Sequence, residues 1–366
     1  MRIPPISRGK DSNQLLLTVF IILNIILIAT NPSLRHTAQS EVILSTTLSL
    51  AALMAASVAL IDSGYPSLLL SKLIIRFKHN PAITLWILAA ASGLLAAITM
   101  NDAVLFLSIP LSIELAEALH GEKTQYAAIT LLGVNIGSAL TPMGNPQNLM
   151  IASHYHLSIR EFIEGMLPFT LVGYLLLLVY IIPVGMRAHR EPEVEERSNL
   201  SLLKLIAGLA SITVVIIGID TGNQVQAAVA GLLLTALTTP RSLLRVNKEI
   251  LAIIVLLMID FYYLGSKING FLLDGEASGL GIFAWAVMLS QLIGNVPATS
   301  LLISKTADWL SLSYAINAGG VILITGSYAN LIAYKLSKAR LIELHRYLVV
   351  YGGIFLLAIL LYVTYI

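Results

Sequence analysis

Two short stretches of this 366-residue chain carry the same pattern of residues, 182 positions apart. Asn135, Gly137, Gly144, Asn148 and Leu149 recur as Asn317, Gly319, Gly326, Asn330 and Leu331, each pair differing by the same amount (317 − 135 = 182). Both copies lie inside apolar segments, where a run of Gly, Pro and Asn should interrupt a helix. Lipid offers no partner to the N–H and C=O groups that such a break releases, so it persists only where protein or a wet cavity covers it. Paired interruptions at matching places in two halves of a chain point to the binding site of a transporter.

Composition sets the class. Apolar residues make up 57% of the chain and charged residues 11%, against about 25% charged in an ordinary soluble domain. The runs 15–29, 42–61 and 349–362 carry no charge and match or approach the length that a hydrocarbon core of about 30 Å requires. The expectation is an all-α integral membrane protein whose helices share one embedded core. The first apolar segment is followed by many more, so a cleaved signal peptide is not expected. The absence of cysteine excludes disulfides, thiolate metal sites and cysteine catalysis. A scattered net charge of +2 leaves no footprint for nucleic acid. No Ser/His or His-Glu-x-x-His arrangement supports an enzyme.

Hydropathy lays the chain out as nine crossings and two re-entrant hairpins. The crossings are 14–30, 41–62, 125–155 (broken), 166–186, 201–219, 224–239, 250–265, 313–336 (broken) and 346–366. The hairpins are 82–119, turning at Asn101-Asp102, and 279–310, turning at Asn295-Val296-Pro297. Basic residues test this path. Arg2, Arg8 and Lys10 crowd the start, and further clusters lie at Lys72 to Lys78, Arg187 to Arg197, Arg241 to Lys248 and Lys335 to Arg346. With a cytoplasmic N-terminus all of them fall inside, as the positive-inside rule requires, and the C-terminus falls outside. The first hairpin then enters from the cytoplasm and the second from outside. The chain divides into a first inverted repeat (1–190), a linker and connecting helix (191–222) and a second inverted repeat (223–366). The acidic stretch 191–197 reads as solvated linker.

A helix broken at mid-membrane exposes N–H groups that attract anions and carbonyls that attract cations. Two hairpin tips and two breaks would bring four such ends together. Asn101 is placed to cap its return helix with Asp102 in the first turn, and Asn295 to cap the other with Pro297 behind it. Thr141 opens a run in which Gly144 is followed by three amides, Asn145, Gln147 and Asn148, able to ligate Na⁺ or to bind a carboxylate or oxyanion. Gly326, Ser327 and Asn330 are the sparser counterpart. Asp102 is the one acid expected near the midplane and so the first candidate for coupling; Asp260 is the second, with Asp62 at the cytoplasmic interface. Glu114 with Glu117 and Lys305 with Asp308 read as interfacial charges. His154 and His156 lack nearby carboxylates for a zinc site.

These residues resemble the ion transporter superfamily that includes arsenite permeases, NhaD-type Na⁺/H⁺ antiporters and citrate and dicarboxylate transporters. The resemblance runs from about Leu44 to the C-terminus and rests on three groups of residues. They are Asn101-Asp102-Ala103 with Ile109-Pro110, Gly133 to Gly137 with Thr141 to Asn148, and Gly294 to Thr299 with Asn317 to Gly320 and Gly326 to Ile332. It is nearest in character to short anion permeases of bacteria and archaea. It implies a mobile unit of hairpins and broken helices moving against a scaffold that often dimerises, in the manner of an elevator. It also implies cation and substrate sites at Asn101, Asp102, Asn295 and Thr299 and at Gly144, Asn145, Asn148, Gly326, Ser327 and Asn330. Na⁺ would then be expected near Asn101, Asn148 and Asn295. Two features depart from the pattern. The Ser-Asn-Thr tips of Na⁺-coupled dicarboxylate carriers are absent, and Leu323-Ile324 replaces the Thr-Pro expected before the second break.

The expected function is secondary active transport of a small anion (carboxylate, arsenite or another oxyanion) across the cell membrane. It would be coupled to H⁺ or Na⁺, with no other cofactor, by a protein in the bilayer expected to be a homodimer. A Na⁺/H⁺ antiporter moving cations only is the alternative, with a passive channel or an intramembrane enzyme behind it. The retained Pro and amides place the binding expectation in the first half.

Overall fold

The computed structural model describes residues 12–77, 79–185, 199–267 and 279–365. The basic clusters at the N-terminus and at 187–197, and the linker 191–197, lie outside the described residues. Among the described residues every regular element is helical, and six helices are long and apolar enough to cross a membrane. In chain order the helices begin with α1 (Ser12–Thr30), α2 (Pro32–Ala38), α3 (Glu41–Asp62), α4 (Tyr65–Phe77), α5 (Pro81–Ile98) and α6 (Asn101–Ala118). There follow α7 (Lys123–Ser138), α8 (Pro146–His154), α9 (Ile159–Gly185), α10 (Leu202–Asp220), α11 (Gln224–Thr238) and α12 (Pro240–Arg245). The last six are α13 (Lys248–Lys267), α14 (Leu280–Ile293), α15 (Asn295–Leu302), α16 (Trp309–Gly320), α17 (Tyr328–Ser337) and α18 (Leu341–Tyr365).

Helices α5 and α6 pack together across a turn at Thr99-Met100, and α14 and α15 do so across Gly294. The second turn needs glycine, because Gly294 has φ +89°, a conformation that L side chains rarely adopt. Neither tip asparagine is the N-cap: Met100 and Gly294 take that position, and Asn101 and Asn295 are the first helical residues. Each uses its side-chain oxygen to accept the next backbone N–H, from Asp102 at 2.8 Å and from Val296 at 2.9 Å. The return helix of each hairpin packs on the second segment of the opposite broken helix, α6 on α17 and α15 on α8.

Both interruptions occur where the sequence pattern places them. Helix α7 ends at Ser138, a 3₁₀ turn spans Pro142–Gly144, and α8 starts at Pro146. The proline sits at the first helical position, where its missing N–H costs nothing, and the extended Asn145 before it caps the helix by accepting from Asn148 N at 3.0 Å. Helix α16 ends at Gly320, a 3₁₀ turn spans Ile324–Gly326, and α17 starts at Tyr328, capped by the Ser327 hydroxyl. A side chain at Gly144 would place its Cβ 2.0 Å from the Ser138 carbonyl oxygen, so the turn closes only around hydrogen.

Two boundaries differ from the hydropathy reading for reasons of capping. Helix α9 starts at Ile159 because Ser158 and Glu161 form a reciprocal capping box, Glu161 accepting the Ser158 N–H and Ser158 accepting the Glu161 N–H. Helix α16 starts at Trp309 because Asp308 accepts from Ser311 N at 3.0 Å. Helix α3 packs against α10 and α11 through small residues: Gly208 approaches the backbone of Ala56 and Leu60, and Ser211 donates to the Gly231 carbonyl at 3.1 Å. Asp62 ends α3 in an ion pair with Arg245 of α12, which ties the end of α3 to this packed group. The variant Gly144→Ala should lower the stability of the detergent-solubilised protein by about 1–3 kcal/mol, the usual cost of forcing a methyl group into a packed site. Thermal unfolding measures it, and Gly222→Ala, where nothing lies within 4 Å, is the comparison for a glycine limited by φ alone.

Candidate functional site

Each break needs partners for the carbonyls it frees, and an asparagine from its own second segment supplies them. Asn148 Nδ2 lies within 3.4 Å of the carbonyl oxygens of Ser138, Ala139 and Thr141. Asn330 Nδ2 donates to Gly320 and Leu323, both at 2.8 Å. Ser138 and Thr141 are the 182-residue counterparts of Gly320 and Leu323, so the two breaks are braced in the same way. Replacing Thr-Pro by Leu323-Ile324 leaves this brace intact, because the acceptor is a backbone carbonyl.

The two breaks are also bonded to each other. Asn135 donates to Asn330 Oδ1 at 2.9 Å, and Asn317 donates to Asn148 Oδ1 at 2.8 Å. Under the 182-residue offset these are one interaction seen from either half. Asn145 Nδ2 adds a longer contact to Asn317 Oδ1 at 3.3 Å. Asn148 and Asn330 have no solvent exposure, and their amides are consumed by the braces.

Between the tips and the breaks lie two cavities, one larger than the other. They share Asn101, Gln147, Asn295 and Ser327, and so adjoin. The smaller is lined by six carboxamides, two serines and Gly320. The larger adds Asp102, together with the apolar Met54 of α3 and Ile250 and Ile254 of α13. The starts of four helices, α6, α8, α15 and α17, reach the larger cavity through Asn101, Pro146, Asn295 and Tyr328. Among the described residues the Gln147 amide has no hydrogen-bond partner, and Asn101 Nδ2 and Asn295 Nδ2 donate to none. All three residues are less than a tenth exposed.

The structure therefore brings Asn101, Asp102, Asn145, Gln147, Asn295 and Ser327 to one place. Other expected residues build the walls behind it. The Thr141 hydroxyl donates to the Ala97 carbonyl, tying the first break to the first hairpin, and the Thr299 hydroxyl donates to its own helix at Asn295. Gly144 and Gly326 allow close approach to the ends of α7 and α16. Asp260 lies on α13 and is not among the residues that line either cavity. Asp308, read as an interfacial charge, caps α16 and accepts the Gly279 N–H at 2.9 Å.

Four contributors carry no role in the sequence reading. Asn135 and Asn317 were visible as part of the repeated pattern, yet their carboxamides reach across to the other half. Gln291 of α14 accepts from Leu323 N at 3.2 Å and donates to the Gly319 carbonyl at 2.8 Å, serving the second break from its own hairpin. Met54 lies two helices away from any motif. Removing Asn135 and Asn330 together should cost less than the sum of the single alanine variants. The difference should be about 0.5–1.5 kcal/mol, the size of one buried neutral hydrogen bond. A double-mutant cycle on thermal stability reads this directly, and strict additivity would mean the bond is not formed.

Comparison with known proteins adds the following. A family model described as "Citrate transporter" matches residues 14–309. The inner membrane protein YbiR of Escherichia coli is 32% identical over 307 residues, covering 81% of this chain and 80% of that protein. An uncharacterised transporter of Methanocaldococcus jannaschii is 29% identical over 284 residues, 74% of this chain and 75% of its own length. A silicon efflux transporter of Oryza sativa subsp. japonica is 34% identical over 82 residues, 22% of this chain and 17% of that protein.

Proposed function

The chain belongs to the citrate transporter family and is a multi-pass membrane transporter, and from that premise we propose that it carries a small anion by secondary active transport. The observation that supports an anion is the meeting of four helix N-termini at one cavity. Each N-terminus behaves as roughly half a positive charge, and a set of them binds an anion without a buried lysine or arginine. Carboxamides with free donors complete the polar wall.

In this reading α5–α8 and α14–α17 are the two hairpins and broken helices of inverted repeats, laid through the membrane by nine crossings with the N-terminus in the cytoplasm. The cross-bonded asparagines hold them as one unit. The cavity has a polar wall from that unit and an apolar wall from α3 and α13, so the solute would sit on the boundary between a moving part and a scaffold. An elevator motion would shift α8 past the α10–α11 turn. The contacts there are Ser153 with Gln224, bonded at 2.8 Å, and Ile159 N donating to Asp220 at 2.7 Å. Asp102 is the one carboxyl lining the cavity, and it would carry the coupling proton or help hold a coupling Na⁺. The scaffold would also carry a homodimer interface, as the resemblance implies. That same carboxyl favours a second reading, Na⁺/H⁺ antiport without a solute.

Two measurements test these assignments. Asp102→Asn should abolish gradient-driven uptake in proteoliposomes while leaving the yield of folded protein unchanged; normal pumping would remove Asp102 from the mechanism. Sodium flux against a pH gradient with no anion present would favour the antiporter. The chain has no cysteine, so Ser153→Cys with Gln224→Cys introduces its first two thiols. Bridging them with a short bifunctional reagent should stop transport and cleavage of the bridge should restore it; undiminished transport while bridged would exclude motion of α8 against α11.

A further inference from the structure

We propose that the solute carries at most one negative charge when bound, so that this member of a family named for citrate selects against di- and tricarboxylates. The inference rests on the small-anion reading above and concerns its substrate class. Among the described residues neither cavity is lined by Lys, Arg or His, and the one charged side chain is the carboxyl of Asp102. Ionised or protonated, that group supplies no positive charge. A tricarboxylate carries about three negative charges at neutral pH, since carboxyl groups titrate near pH 4. What opposes them is the helix ends, roughly half a charge each and so roughly two in all, since a coupling Na⁺ held by Asp102 would be offset by that carboxylate.

Much of that capacity is already engaged. The N–H groups of Asp102, Asn148, Val296 and Ala329 donate to side-chain oxygens of the protein itself, and Asp102 occupies the start of α6. The lining residues Met54, Ile250 and Ile254 donate no hydrogen bond to a second or third carboxylate. A buried charge left without a partner costs several kcal/mol. The free groups are instead carboxamides, at Gln147, Asn101 and Asn295, which both donate and accept. Such a surface matches an oxygen acid with one anionic oxygen, or none, and hydroxyl groups to donate.

The test uses the purified full-length protein and two series of probes. Lactate, arsenite and borate carry one charge or none near neutral pH, whereas malate and citrate carry two or three. The expected result is a rise in melting temperature from at least one probe of the first series and none from malate or citrate at equal concentration, by the mass-action effect of a ligand on the folded state. Asp102→Asn removes the only carboxyl, and Gln147→Lys adds the missing cation. Either variant that folds should gain at least about tenfold in affinity for malate relative to lactate, a change of about 1.4 kcal/mol. Stabilisation of the unaltered protein by malate or citrate, equal to or greater than that by the first series, would overturn the charge limit and leave the anion transporter intact. No shift from either series, with Na⁺/H⁺ exchange present in proteoliposomes, would overturn the anion reading beneath it.

Discussion

The architecture depends on one constraint: backbone polar groups exposed by a broken helix must find partners within the protein, because a bilayer offers none. Asn148 and Asn330 meet it locally by donating to the carbonyls at the ends of α7 and α16. Their own oxygens then accept from Asn317 and Asn135 of the opposite half. One carboxamide thus satisfies a break and joins it to the other break. The joining is reciprocal, so the two breaks are held to each other by neutral carboxamides alone.

That arrangement separates amides that support from amides that remain available. Asn148 and Asn330 have their donors and acceptors committed, and the turns at Gly144 and Gly326 are packed against neighbouring backbone. Gln147, Asn101 and Asn295 have unspent hydrogen-bonding capacity and face space. A site built on committed supports is pre-organised, which lowers the ordering cost of binding. The apolar residues Met54, Ile250 and Ile254 come from helices outside this braced unit.

Much of this was legible in the residues. The hairpin tips, both breaks and the class of protein followed from interrupted apolar runs, since Gly, Pro and Asn act on the backbone locally. Helix starts set by side-chain geometry were harder to read: the Ser158–Glu161 capping box extends α9, and Asp308 starts α16 ahead of the apolar run. Asp62 was weighed as a functional candidate and is found paired with Arg245, a partner 183 residues away that no local pattern announces. Gln291 was missed for the same reason, because the groups it serves belong to another helix.

The sequence by itself determined that this chain lives in a membrane, where its helices break, and that the two breaks are copies of one device. Those properties depend on composition and on neighbours within a few residues. Only the tertiary structure decided which amides are braces and which are free. It also decided that four helix starts meet at one cavity, and that among the described residues no Lys, Arg or His lines it. The physical reason is that hydrogen bonds between the two halves, such as Asn135 to Asn330, join residues 195 positions apart. A carboxamide reads the same in sequence whether its partners come from across the fold or are still to arrive with a solute.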